Sequence, residues 1–213
     1  VMQVGNQSVN VGRSAVLAAG WPEEVPATTI DRQCGSSQQS AHFAAQGVMA
    51  GAYDVVVAAG VEVMSTTPMG ASVTPGSFPM GPSVMARYAP EGGIVMQGTS
   101  AEIIAKKWDI SRDEMEEFAF NSHQRAFTAI REGRFDNEII PVGDFKVDEG
   151  PRESTREKLA SLKPLVEGGR LTAALASQIS DAASATPQAG SPVERATMTA
   201  AFAPVRGRQG RRR

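Results

Sequence analysis

The clearest periodicity in the chain lies in "SRDEMEEFAFNSHQRAFTAIREG", residues 111–133. Met115, Phe118, Ala119, Ser122, Ala126, Ala129 and Ile130 recur at helical spacing. They predict an amphipathic helix with those residues on its inner face. Ser111 and Glu114 have the spacing of a capping box, and Gly133 suits the C-terminal stop. Upstream, "YDVVVAAGVEVM" is continuously apolar over Val55–Ala59, which predicts a buried strand, with Glu62 after it fixing a loop. "VPATTI", Val25–Ile30, predicts a second buried strand. The segment between them, "SSQQSAHFAAQGVMA", is dense in small and apolar residues. It predicts a helix covered on most sides and ended by Gly51. Strand, helix and strand within about 40 residues make a βαβ unit with parallel strands.

Shorter elements follow the same logic. Helices are expected from Arg13 to the Gly20/Pro22 stop, in "GTSAEIIAKKW" and in "STREKLASL". "EIIPV" predicts an edge strand, and the opening "VMQVGNQSVNVG" is strand-like. Residues 65–95, rich in Pro, Gly, Ser and Met, predict a long ordered loop, whose length argues for function or a domain crossing. After about Asp181 regular patterning fades, and no internal repeat is visible.

Composition narrows the class. With 213 residues, 41% hydrophobic, the chain suits one or two globular domains with a real core. A formal net charge of −2 predicts neither a nucleic-acid nor a membrane partner, and no apolar run is long enough for a spanning helix. The charge is uneven: residues 183–213 hold six arginines and one acid, Glu194. Six arginines without interleaved aromatic residues are weak grounds for a nucleic-acid arm. One cysteine excludes an intrachain disulfide and fits a reducing cytosol, and no metal-ligand pattern is present. No signal peptide is visible, and position 1 is not Met, so an upstream portion is expected to be missing.

That cysteine, Cys34, stands between the predicted strand and the predicted helix. A packing role and a nucleophilic role both remain open for a lone thiol in apolar surroundings. The position favours the nucleophile. Unpaired N–H groups and the helix dipole at a helix N-terminus stabilise a thiolate and can hold an oxyanion. Gly35 and Ser36 leave room for a substrate to approach. A papain-type protease does not fit. "QCGS" continues with Ser37 and Gln38 rather than Cys and an aromatic residue, and His123 is too near in sequence. His42, two turns further along the helix, reads as a buried structural residue.

From "VMQVGNQSVNVGRSAVLAAGWPEEVPATTIDRQCGSSQQS" through "GAYDVVVAAGVEVMS", "QGTSAEIIAKKW", "SRDEMEEFAFNSHQRA" and "TAALASQISD", the chain resembles the thiolases. It is most similar to 3-ketoacyl-CoA thiolases of fatty-acid or steroid β-oxidation. The resemblance implies an α/β protein: the N-terminal α/β half of a five-layer αβαβα fold, plus an inserted loop domain. It implies boundaries at 1–65 for the partial N-terminal α/β domain, 66–170 for the loop domain and 171–182 for the return. Residues 183–213 are then a non-homologous, disordered basic tail. It implies an acetyl-CoA C-acyltransferase acting on CoA thioesters in the cytoplasm, as a homodimer or homotetramer, with Val25–Ile30 near the subunit interface. CoA is a substrate and no cofactor is bound.

Residue by residue, the resemblance makes Cys34 the nucleophile and its N–H an oxyanion donor. Ser177 matches a serine on the pantetheine arm of CoA. Met96 and Gln97 fall in the segment lining the pantetheine tunnel, although Met96 read alone suits plain packing. Arg152 falls near the nucleotide end of CoA, and read alone is a solvated charge. The chain departs from the family pattern at Asp31, where Asn is usual, and at Ser36-Ser37, where Ser-Gly is usual. It departs again at Leu175-Ala176-Ser177, where the family has Asn-Ala-Ser. Gly-His-Pro, which carries the activating histidine, is absent, and there is no second cysteine for proton transfer. The alternative expectation is therefore a truncated or frame-shifted, catalytically inactive fragment that at most binds CoA or a partner subunit. A thiolase-like lipid-binding protein is a third.

Overall fold

The computed structural model describes residues 1–190 and the backbone of Ala203–Pro204. The chain divides into two compact units. The first comprises Val1–Ser72, Phe135–Asp148 and the described residues from Ile179 onward. The second comprises Val73–Arg134 and Glu149–Gln178. The predicted arginine-rich segment beyond Gly190 lies outside the described residues.

In the first unit, helix α1 (Val11–Ala18) starts at Asn10, whose side-chain oxygen accepts from the Arg13 N–H at 3.1 Å. Helix α2 (Ser36–Met49) precedes strand β1 (Val55–Val63). Strand β2 (Asp181–Ala189) pairs antiparallel with β1 over nine residues, from Val55↔Ala189 to Val63↔Asp181. The short β3 (Ala203–Pro204) pairs with β2, giving the order β1-β2-β3.

The class is mixed α/β, but the parallel βαβ unit is not formed. Val25–Ile30 is not a strand. Pro26 supplies no N–H, and side chains from the α1 region occupy neighbouring carbonyls. Arg13 donates to Val25 O at 2.6 Å and Asn10 to Ala27 O at 2.7 Å. The strand-like opening phrase instead contains a 3-10 turn, Gly5–Gln7. "EIIPV" contributes no ladder strand. Ile139 is a single bridge residue, and an isolated bridge, Val142↔Phe145, follows Pro141. Conversely, regular structure continues past Asp181 as β2, where the pattern was read as fading. Alanine and proline, which make up five of the nine residues of β2, carry little strand signal of their own, and the ladder with β1 supplies it.

Helix α2 lies against β1 and β2 with Ala44 buried and Val48 half-buried. Its other side is open: Phe43 and Met49 are exposed, and so is His42. His42 is therefore not the buried structural residue expected. Small residues allow close packing but did not enforce it on every face. The same one-sidedness shows in β1, where Val55 and Val57 are exposed while Ala58 is buried. Glu62 sits at the end of β1 and anchors the N-terminal segment. It accepts from Gln7 Nε2 at 2.9 Å and from the Met2 N–H, while Gln7 Oε1 accepts from the Val63 N–H at 2.7 Å. At the paired end of β2, buried Asp181 accepts from the N–H and hydroxyl of Ser65.

The second unit contains α3 (Pro82–Tyr88), α4 (Gln97–Lys107), α5 (Arg112–Arg131) and α6 (Arg156–Ala160). The capping box of α5 is present, with Ser111 and Glu114 exchanging both bonds. Gly133 adopts φ 66°, the left-handed geometry that ends a helix there. The inner face differs from the predicted one. Phe118 is 75% exposed, whereas Glu116 is buried. Arg112 explains the inversion. Its Nε donates to Glu116 at 2.6 Å, and its Nη2 donates to the carbonyls of Leu159, Ala160 and Leu162. One guanidinium thus neutralises the buried carboxylate and closes the C-terminal end of α6. Arg170 likewise closes the end of α4, donating to Ala105 O and, just beyond the helix, to Ile110 O at 2.6 Å.

Candidate functional site

Cys34 lies in the turn that leads into α2 and is exposed. The segment before it, Val25–Arg32, is not a strand, so Cys34 stands at a turn-to-helix junction rather than the strand-to-helix one expected. Its φ is 58°, a left-handed conformation that L residues with a side chain disfavour. Two bonds close this turn. The Gly35 N–H donates to Arg32 O at 2.8 Å, and the Arg32 N–H donates to Ser36 Oγ at 2.9 Å. The Arg32 guanidinium reaches Gln39 Oε1 at 2.7 Å, tying the turn to the second turn of the helix. The N-cap residue Gly35 supplies no side-chain cap, so the first N–H groups of α2 are left for solvent or a ligand. Such a thiol can act as a nucleophile beside uncommitted backbone donors.

The other sequence-derived residues all belong to the second unit. Met96 is the N-cap of α4 and is 83% exposed, which overturns the reading of this side chain as plain packing within the chain. Gln97 is the first residue of α4 and is exposed. Ser177 is exposed, just after the 3-10 turn Ala173–Leu175 that packs on α5. Arg152 carries its side chain outward, while its N–H donates to His123 Nδ1 at 3.2 Å. Gln178 Nε2 donates to Gly150 O, so the segments carrying Ser177 and Arg152 are joined. Met96 and Gln97 adjoin one another at the start of α4.

Sequence reasoning did not single out the role of His123 as an acceptor beneath Arg152, or of Gln178 as the strut. Neither has a local pattern, since both act on backbone atoms of a distant loop. A shallow groove of about 380 Å³ lies between α5 and α6 in the same unit. Phe127, Arg131, Thr155 and Lys158 are among its walls. Beside it Arg156 stacks over Phe120 at 4.2 Å and grips Glu117 through two bonds of 2.6 and 2.8 Å. That pairing holds the Glu117 carboxyl down at about 2. Among the described residues, no cluster of three or more His, Cys, Asp or Glu could hold a metal ion. No helix there is long and apolar enough to cross a membrane.

Comparison with known proteins gives these features a family. Residues 1–186 match the thiolase N-terminal domain, so the similarity runs past Asp181 into β2. The chain is 53% identical over 193 residues to a steroid 3-ketoacyl-CoA thiolase of Mycobacterium tuberculosis, covering 85% of this chain and 47% of that protein. It is 39% identical over 198 residues to a 3-ketoacyl-CoA thiolase of Bacillus subtilis, covering 84% and 49%. The dimeric peroxisomal thiolase of Saccharomyces cerevisiae superposes with a TM-score of 0.75 at 33% identity, covering 88% of this chain and 51% of that one. The chain spans about half the length of the relatives it matches. With the α2–β1–β2 framework and the match over residues 1–186 in agreement, the chain belongs to the thiolase family through its N-terminal domain.

Proposed function

We propose that this chain supplies the acyl-accepting cysteine of a 3-ketoacyl-CoA thiolase, an acetyl-CoA C-acyltransferase of fatty-acid or steroid β-oxidation. The observation that carries this reading is the exposed, left-handed Cys34 at the start of α2, inside the stretch that matches the family. In the reaction, Cys34 Sγ attacks the C3 carbonyl of a 3-ketoacyl-CoA. The C2–C3 bond breaks, its electron pair leaves on C2, and C2 takes a proton to become acetyl-CoA. The shortened acyl group remains on Cys34 as a thioester. The thiol of a second CoA attacks that thioester, and the Cys34 sulfur departs. CoA is a substrate here, and the chemistry needs no bound cofactor. Met96, Gln97 and Ser177 serve the pantetheine arm, and the outward guanidinium of Arg152 serves phosphate at the nucleotide end. The protein works in the cytoplasm as a homodimer or homotetramer, with Val25–Ile30 near the interface.

A second reading limits what this polypeptide does alone. Moving the proton at C2 needs an acid–base group besides the nucleophile. Cys34 is the only cysteine in the chain, and neither of the two histidines stands in the Gly-His-Pro motif that carries the family's activating histidine. His42 lies exposed along α2, and His123 Nδ1 accepts from Arg152. The chain alone therefore takes up one acyl group and does not turn over.

The test is peptide mapping by mass after incubation with acetyl-CoA at moderate ionic strength. Salt is needed because the arginine-rich C-terminal sequence attracts CoA phosphates without specificity. A hydroxylamine-labile acetyl group on the Cys34 peptide is expected, and none in Cys34→Ala. An unmodified Cys34 peptide would refute the proposal.

A further inference from the structure

The first two residues of α2 are serines with different engagements, and both bear on the turn that holds Cys34. Ser36 Oγ accepts the Arg32 N–H at 2.9 Å, closing a ring across Gln33, Cys34 and Gly35. Ser37 leans over β1 at Gly60. A methyl group placed on Gly60 would come within 2.4 Å of Ser37 Oγ, closer than a real Cβ contact allows. The strand and the helix start therefore meet through one absent side chain and one small polar one. Ser37 also stands where the thiolase pattern has glycine, so the match to Gly60 is a property of this chain.

We propose that Ser36 and Ser37 are positioning residues for Cys34: Ser36 by accepting across the cysteine, and Ser37 by seating the first turn of α2 on the bare backbone of Gly60. This inference rests on the reading of Cys34 as the acyl acceptor. Cys34 holds a conformation disfavoured for its residue type, so something outside its own torsions must keep it there. The Arg32–Ser36 bond does so from the near side. The Ser37–Gly60 contact prevents the helix start from sinking toward the strand. A side chain at residue 60 displaces the Ser37 hydroxyl and disturbs the seat of the first turn of α2 on β1.

The experiment compares rates of Cys34 acylation by acetyl-CoA and of alkylation by iodoacetamide in the full chain. Ser36→Ala removes the acceptor and keeps a good helix former, so circular dichroism should stay unchanged. Its acylation rate should fall roughly three- to tenfold, the value of one net hydrogen bond, and Ser36→Thr should restore it. Gly60→Ala should also slow acylation. Adding Ser37→Gly to that variant should recover the rate, because the clash partner is gone. A Ser36→Ala rate equal to wild type, or a Gly60→Ala loss that Ser37→Gly leaves in place, would overturn the inference. The two reagents separate its failure from failure of the proposed function. If Cys34 is never acylated but alkylation depends on Ser36 and Gly60 in this pattern, the positioning stands and the acyl-transfer reading falls. If neither rate responds to the substitutions, the positioning falls whatever Cys34 accepts.

Discussion

Replacing Cys34 by glycine tests the strained turn without reference to any substrate. Cys34 has φ 58° and is exposed, so its thiol contributes little packing. The left-handed conformation costs an L residue about 1–2 kcal/mol relative to glycine. Glycine in turn raises the entropy of the unfolded chain, which costs about 0.4–1 kcal/mol relative to alanine. The difference leaves Cys34→Gly more stable than Cys34→Ala by roughly 0.5–1 kcal/mol. Alanine is the proper reference, because it removes the sulfur and keeps the Cβ that causes the strain. Urea unfolding followed by circular dichroism reads the difference. With a slope of about 2 kcal/mol/M, the glycine variant should unfold at a midpoint higher by about 0.3–0.5 M. A glycine midpoint at or below that of Cys34→Ala would show that the turn is not strained at this residue. The stabilised variant should also accept no acyl group, a trade of function against stability at one position.

Arg112→Ala removes the partner of buried Glu116 and the donor to three carbonyls at the end of α6, so it should destabilise the second unit by about 3 kcal/mol, read by chemical denaturation. Glu117 supplies a pH dependence. Its folded value is lowered to about 2 from 4.5, so its contribution is fully present above about 4.5 and is lost as pH falls toward 2. The stability gap between wild type and Glu117→Gln should be constant from pH 7 to 5 and should close between 4.5 and 2. A gap that persists at pH 2 would contradict the Arg156 pairing as its source.

Features written in neighbouring residues were legible in the sequence. Ser111 and Glu114 cap α5 as their spacing requires, and Gly133 ends it in the left-handed form. The turn position of Cys34 was also legible, because Gly35 and the small residues after it mark a helix start. Features that depend on distant partners were not. β2 is a strand because β1 offers it nine paired residues, and "DAASATPQA" shows no alternation that would reveal it. Val25–Ile30 has strand composition but lost its acceptors to Asn10 and Arg13. The face of α5 was misjudged because periodicity ranks Phe118 above Glu116, and only the reach of Arg112 makes burial of the carboxylate favourable. In the candidate site, the family pattern named Cys34, Ser177, Gln97, Met96 and Arg152. The support beneath them, Ser36 on Arg32, His123 on Arg152 and Gln178 on Gly150, consists of side chains bonded to backbone and leaves no motif.

If this polypeptide holds the nucleophile of a thiolase, alone it performs only the acyl uptake. CoA release on mixing with excess acetyl-CoA measures that directly, since each transfer to Cys34 frees one thiol. A burst of about one equivalent of CoA per chain is expected, absent in Cys34→Ala, with no steady release after it. Sustained release that depends on Cys34, or a wild-type trace identical to that of Cys34→Ala, would contradict it.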